Sequence, residues 1–185
     1  MPGRRLLGFS GSLRRASYST AVLRTLLDEL KDEIEASVFD IASLPHYNAD
    51  LDGDAAPEPV RALKAAITAA DALLFVTPEY NYGPPGVLKN AIDWASRPGY
   101  KSVLKDKPTL IISTSAGFVG GARATQQLKT TLLATLCRVL PWPEVLIANA
   151  GGKITGGKFT DPDGLKLSLE ALRALLAEVP ARPTT

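Results

Sequence analysis

Short apolar runs alternate with amphipathic helical patterns along this chain without a break, and no other feature of its sequence constrains the fold as tightly. RLLGF (residues 5–9), ASVFDIA (36–42), ALLFVT (72–77), PTLIIST (108–114) and EVLIA (144–148) read as strands. ALLFVT is apolar almost throughout, the mark of a strand covered on both faces. Between the strands, apolar residues recur at helical spacing. Leu23, Leu26, Leu27, Leu30 and Ile34 share one face of a helix expected from Ser17 to about residue 34. Further helices are expected over 58–70, 85–94, 121–140 and 163–179, with Leu128, Leu132, Leu136 and Leu140 in register in the fourth. The order βαβαβαβαβα predicts an α/β fold with a parallel sheet and helices on both faces. Five such strands most often take the order 2-1-3-4-5, in which winding reverses between strands one and three. Ligands bind at that reversal, outside the C-terminal strand ends. The loops 10–19 and 78–85 must therefore form the crevice. A single domain over residues 1–185 is expected, with 181–185 a frayed tail.

The first loop, FSGSLRRASYS, gathers four serines, two arginines and a glycine. A helix start presents free N–H groups and a partial positive charge. Gly11 lets backbone approach a ligand. The hydroxyls of Ser10, Ser12, Ser17 and Ser19 can donate, and Arg14 or Arg15 offers a planar fork. This donor set suits a phosphate dianion. Neither GxxxxGK[ST] nor GxGxxG is present. A hydrolase elbow fails at Ser12, where GxSxG needs glycine. A phospho-receiver site fails too, with Ser10 after strand one and Thr77-Pro78 at the end of strand three. The second loop, PEYNYGPPG, sets Glu79, Tyr80, Asn81 and Tyr82 at the end of a buried strand. Rings beside exposed amides can flank a flat heterocycle, and the prolines and Gly83 stiffen the turn.

GSLRRASYS followed by PEYNYGPPGVLKNAIDW, and then STSAGFVGGAR (113–123), resembles the NADPH-dependent FMN reductases, the group that holds chromate, quinone and azo-dye reductases. The resemblance spans most of the chain. It implies a flavodoxin-like three-layer fold, bound FMN, and NADPH or NADH as hydride donor. By position, Ser10, Ser12, Arg14 or Arg15, Ser17 and Ser19 would hold the phosphate. Pro78, Glu79, Tyr80, Asn81, Tyr82 and Gly83 would line the isoalloxazine, and Ser113, Ser115 and Gly117 would close its other side. Two positions depart from the family pattern: Ser19 stands for asparagine and Gly83 for serine. The implied reaction passes hydride to the flavin and then electrons to a small-molecule acceptor such as a quinone, chromate, an azo compound or free flavin. No protein nucleophile is needed, because the cofactor carries the redox chemistry.

A flavodoxin-type electron carrier is a different reading, but such carriers are strongly acidic and this chain has a net charge of +2. A redox-sensing regulator is a third. Neither the charge nor its distribution points to nucleic acid. One cysteine and one histidine leave no basis for a disulfide framework or a His/Cys metal site. No run of ~18 apolar residues exists to span a membrane, and no signal peptide is read, so a cytoplasmic protein is expected. A homodimer or homotetramer is expected from the family and from the apolar Val87, Leu88, Ile92 and Trp94 beside the site. Cys137 is expected in the core, Lys89 and Asp93 as a helix-surface pair, and His46 in a loop. Arg123 and Glu144 are candidates to pair with each other, within the chain or between subunits.

Overall fold

Strands β1 (Arg4–Ser10), β2 (Ile34–Phe39), β3 (Ala72–Pro78) and β4 (Pro108–Thr114) are parallel neighbours in the order β2-β1-β3-β4 in the computed structural model, which describes residues 3–179. The tail at 181–185 lies outside the described residues. Two short pieces fill the fifth position, β5 (Arg138–Val139) and β6 (Val145–Ile147), both parallel to β4. β5 pairs with Pro108 and Thr109, and β6 with Ile112 to Thr114. Between them runs LPWPE, where Pro141 and Pro143 have no N–H to give a ladder. The expected order 2-1-3-4-5 is found.

Successive residues of a strand point to opposite faces, and both faces here are apolar. On one, Leu6, Leu74, Val76 and Ile112 pack against Val22 and Leu26 of α1 (Tyr18–Glu29) and Leu172 and Leu175 of α5 (Pro162–Ala177). On the other, Leu7, Phe9, Phe75 and Ile111 meet Leu63 and Ile67 of α2 (Glu58–Ala69). Leu88, Ile92 and Trp94 of α3 (Gly86–Ala95) and Leu128 and Leu132 of α4 (Ala122–Ala134) complete that second core. Phe9 and Phe75 are register partners on adjacent strands and stack with ring centroids 4.8 Å apart. Truncating such a ring to alanine costs about 3–5 kcal/mol. Because α1 follows β1 on one face and α3 follows β3 on the other, the loops leaving these two strands part at their C-terminal ends and open a crevice between them.

Several element boundaries differ from the sequence reading, each for a local reason. α1 ends at Glu29, because the exposed Lys31, Asp32 and Glu33 form a turn closed by Glu33 N–H donating to Leu30 O at 2.8 Å. Ile34 keeps the helical spacing but opens β2, opposite Arg4. β2 stops at Phe39, since Asp40 accepts from Ala42 N–H at 3.0 Å and starts a 3₁₀ turn. α4 stops at Ala134 rather than near residue 140. Leu136 is left-handed (φ 64°), with Leu136 N–H donating to Leu133 O and Cys137 N–H to Leu132 O. That is a Schellman ending with leucine in the place usually held by glycine. The glycine-rich stretch after β6 carries a small hairpin, β7 (Ile154–Thr155) with β8 (Lys158–Phe159).

The apolar residues expected between subunits are not available for that role. Leu88, Ile92 and Trp94 are at most 2% exposed within the chain's own core, and Val87 packs against it. Trp94 instead anchors the long loop after β2: its Nε1–H donates to Pro45 O at 2.8 Å, and Tyr47 meets its ring edge-on at 5.0 Å. The Tyr47 hydroxyl donates to Asp52 at 2.8 Å, and that hydrogen bond is the main reason its phenol titrates above the ordinary tyrosine range. Lys89 and Asp93 pair at 2.6 Å, as their spacing predicts. His46 is exposed in its loop. Arg123 and Glu144 do not pair with each other: Glu144 accepts from Gln126, and Arg123 bonds Glu79.

Candidate functional site

The crevice between the β1 and β3 loops holds a cleft of about 190 Å³. Its first wall is Ser12, Arg14, Ser17, Tyr18 and Ser19, its second Pro78, Glu79 and Tyr80, and its third Thr114, Ser115 and Ala116. The walls are tied to one another. Gly11 N–H donates to Val76 O at 2.8 Å, extending the β1–β3 pairing by a residue. A Cβ on Gly11 would lie 2.8 Å from Thr77 Oγ1, so only glycine allows this approach. The Ser12 and Tyr80 hydroxyls share a hydrogen bond at 3.3 Å that joins the two loops across the cleft. Ser19, fully buried, bonds Thr114 through its hydroxyl at 2.8 Å and ties α1 to β4.

Ser17 is the N-cap of α1, its hydroxyl accepting from Thr20 N–H at 3.2 Å. The first-turn amides and the positive end of the helix dipole remain directed at the cleft. Arg14 stands over the Tyr18 ring at 5.8 Å. Opposite lies the only carboxylate in the walls, Glu79, and it faces away: Oε2 accepts from Arg123 N–H at 3.0 Å and Ala124 N–H at 3.1 Å, and Oε1 from the Arg123 guanidinium at 3.4 Å. α4 begins at Gly121, which has no side chain to cap it. Glu79 supplies the cap from the end of β3, and its negative charge is neutralised there. The cleft is left net positive.

Beyond Glu79 the chain turns back on itself within four residues. Tyr80 N–H donates to Gly83 O at 2.9 Å and Gly83 N–H to Tyr80 O at 3.0 Å. Asn81 (φ 50°) and Tyr82 (φ 68°) between them are both left-handed. Two positive φ values make a type I′ turn, which favours Asn-Gly. An aromatic residue in the second position carries strain of roughly 1–2 kcal/mol. The turn stands at the lip of the cleft with Tyr80 and Tyr82 exposed.

The residues expected at the site are thus distributed as follows. Ser12, Arg14, Ser17, Ser19, Pro78, Glu79, Tyr80 and Ser115 line the cleft. Asn81, Tyr82 and Gly83 form the lip. Ser10 sits behind the wall, its hydroxyl bonded to Thr20 Oγ1 at 2.7 Å. Arg15 is exposed on the loop beside Arg14. Ser113 is fully buried and donates to Gly120 O at 2.7 Å, supporting the left-handed Gly120–Gly121 turn that starts α4. Gly117 is exposed; its N–H donates to Ser115 Oγ at 3.0 Å and orients that hydroxyl. Tyr18, Thr114 and Ala116 are lining residues that the sequence reading missed. Tyr18 follows a cap serine and Thr114 ends a strand, and both positions face a crevice at strand ends.

Comparison with known proteins decides the family. Residues 4–152 match the model of the NADPH-dependent FMN reductases. The chain belongs to this family. An NAD(P)H-dependent FMN reductase of Pseudomonas aeruginosa is 41% identical to it over 172 residues, 92% of each chain. A quinone reductase of Pseudomonas putida is 38% identical over 152 residues, 82% of each. Among solved structures, FerB, a flavoenzyme NAD(P)H:(acceptor) oxidoreductase from Paracoccus denitrificans, superposes with a TM-score of 0.83 at 36% identity, covering 94% of this chain and 96% of that one. As a member of the FMN reductase family the chain is an NAD(P)H-dependent flavoenzyme, with FMN as its cofactor. The donor set on the first wall fits that cofactor: hydroxyls, helix-start amides and a guanidinium for a phosphate, beside aromatic residues at the lip for a flat ring. No helix among the described residues is long and apolar enough to cross a membrane.

Proposed function

We propose that the chain is a quinone reductase that uses NADPH or NADH and holds FMN across the two loops. Ser12, Ser17 and Arg14, with Arg15 and the amides that open α1, would grip the phosphate. The ring system would lie toward Tyr80 and the Asn81–Gly83 turn. Bound there, FMN supplies two-electron chemistry between nicotinamide and acceptor. The residues of the chain bind, orient and exclude water. The observation that carries the reading is the hydroxyl bridge between Ser12 and Tyr80, which joins the serine- and arginine-rich loop to the tyrosine-rich turn across one cleft.

A planar acceptor is favoured over chromate because the rim is aromatic. Tyr80 is 46% exposed, Tyr82 63%, and Phe118, in the loop that follows the third wall, 85%. Such rings offer flat apolar surface to a quinone and little to a small oxyanion. The quinone reductase of Pseudomonas putida supports the same choice by its name. A cytoplasmic setting accords with a reduced nicotinamide donor. Self-association as a dimer or tetramer accords with the exposed apolar side chains of Tyr100, Leu133 and Leu136; light scattering that gives a monomer mass at micromolar concentration would remove it.

The test is anaerobic addition of NADPH to FMN-loaded protein, followed by benzoquinone, chromate or an azo dye. Bleaching of the visible flavin band and its return with quinone, at a higher kcat/KM than with chromate, is the expected result. Bleaching without turnover would favour an electron carrier or regulator. Replacing Arg14 and Arg15 together with alanine should raise the FMN Kd at least tenfold, since one charged hydrogen bond contributes ~1.5–3 kcal/mol and ~1.4 kcal/mol is a factor of ten. Unchanged affinity would remove these residues from the phosphate site.

A further inference from the structure

The strained turn at the lip is held from outside the cleft, by one face of α4. Asn81 and Tyr82 are both left-handed, and such backbone persists only where its surroundings over-determine it. Three contacts do so. Gln127 Nε2 donates to Tyr82 O at 2.8 Å, fixing the peptide at the crest of the turn. The Arg123 guanidinium lies over the Tyr82 ring at 4.2 Å, fixing the side chain. Glu79, at the base of the turn, is bound by the guanidinium and by the first-turn amides of α4. Gln127 and Arg123 lie one helical turn apart on α4, so the helix presents both to the turn at once.

Gly83 belongs to the same arrangement. A Cβ there would lie 2.9 Å from Gln127 Oε1, the same amide that holds Tyr82 O. A side chain at position 83 therefore obliges the Gln127 amide to shift away from the turn, so Gly83 and Gln127 are a matched pair.

We propose that Arg123 and Gln127, held by Glu79 and given room by Gly83, are positioning residues that set affinity for the planar acceptor by fixing the Tyr82 ring at the mouth of the cleft. Neither residue lines the cleft, and both act through Tyr82. The proposal rests on the quinone-reductase reading for the identity of the acceptor, but the clamp is a property of the chain itself.

The experiment follows exchange of the Tyr80 and Gly83 amide protons by NMR in the FMN-loaded full chain, alongside FMN Kd and steady-state kinetics with benzoquinone. Arg123→Ala and Gln127→Ala should each speed exchange at least fivefold and raise the quinone KM at least fivefold. Both kcat and the FMN Kd should stay within about twofold. Arg123→Lys, which keeps the charge on Glu79 but not the flat stack, should recover the exchange rate only in part. Gly83→Ala should mimic Gln127→Ala in amide exchange, and the two together should speed exchange no more than either alone, because both act on the same Gln127 contact. Additive effects, unchanged exchange, or faster exchange with an unchanged KM would each overturn the proposal. Failure of the function reading is distinguishable: a protein that binds no FMN or turns over no quinone would still report the clamp through its amide exchange.

Discussion

Replacing Glu79 with alanine tests the claim that a strand-end carboxylate caps a helix whose own N-cap is glycine. Glu79 accepts from the second and third amides of α4 at 3.0 and 3.1 Å, and its side chain is only 14% exposed. Losing an N-cap acceptor costs about 0.5–2 kcal/mol, and losing a negative charge at a helix start adds about 0.3–1 kcal/mol. The ion pair with Arg123 adds little, because the arginine is half exposed; such pairs contribute roughly 0–1 kcal/mol. Glu79→Ala should therefore destabilise by about 1–3 kcal/mol. Glu79→Gln, which retains one acceptor oxygen and loses the charge, should cost about 1 kcal/mol by the same reckoning. The assay is urea unfolding at several FMN concentrations, extrapolated to none so that ligand linkage does not enter. A shift below ~0.5 kcal/mol for alanine, inside the range of ordinary surface substitutions, would refute the cap. Equal losses for alanine and glutamine would show that charge alone matters and the hydrogen-bond geometry does not.

Two further outcomes follow from the way α4 ends. Leu136→Gly should be more stable than Leu136→Ala by about 0.5–1 kcal/mol, since both lose the same leucine packing and only glycine relieves left-handed strain of ~1–2 kcal/mol, less its added unfolded-chain freedom; a lower thermal midpoint for glycine than for alanine would contradict it. Cys137 is buried, with its thiol donating to Leu104 O at 3.2 Å, and burial pushes its pKa above the ordinary thiol value. A raised folded pKa means stability that is full below the unfolded thiol pKa of about 8.5 and declines as pH rises toward the folded value. Urea midpoints at pH 7.5 and 9.5 should differ by less in Cys137→Ala than in the parent, and an equal difference would reject the assignment.

What could be read from residues alone was what rests on composition and period. ALLFVT announced a strand buried on both faces, and every residue from Ala72 to Val76 is buried. The crossing point of the sheet, and hence the two loops of the crevice, followed from the order of elements. Ser17 as a cap was legible because capping is a local interaction. The missed boundaries have one cause: helical spacing continues past the end of a helix whenever the next strand also needs apolar residues. Ile34 and Leu140 sit in phase with their helices, yet the chain has already turned at Leu30 and Leu136. The site was legible as loops but not as geometry. No local signal could show that Glu79 turns from the cleft to cap α4, that Ser113 lies beneath a glycine turn, or that Gln127 needs an open position at Gly83. These contacts join residues about forty apart in sequence or span a glycine bend, and only the folded backbone brings them together.

The fifth position of the sheet, filled in two pieces around Pro141 and Pro143, also bears on how the chain behaves in a crowd. A lone edge with a continuous row of N–H and C=O groups invites a foreign strand to dock and extend it. Here the outermost segments on this side of the sheet offer two or three residues each, separated by a kink with missing donors, so no incoming peptide finds a long enough template at this edge. Mending that break, by replacing both prolines with strand-forming residues, should leave the enzyme folded but prone to clumping.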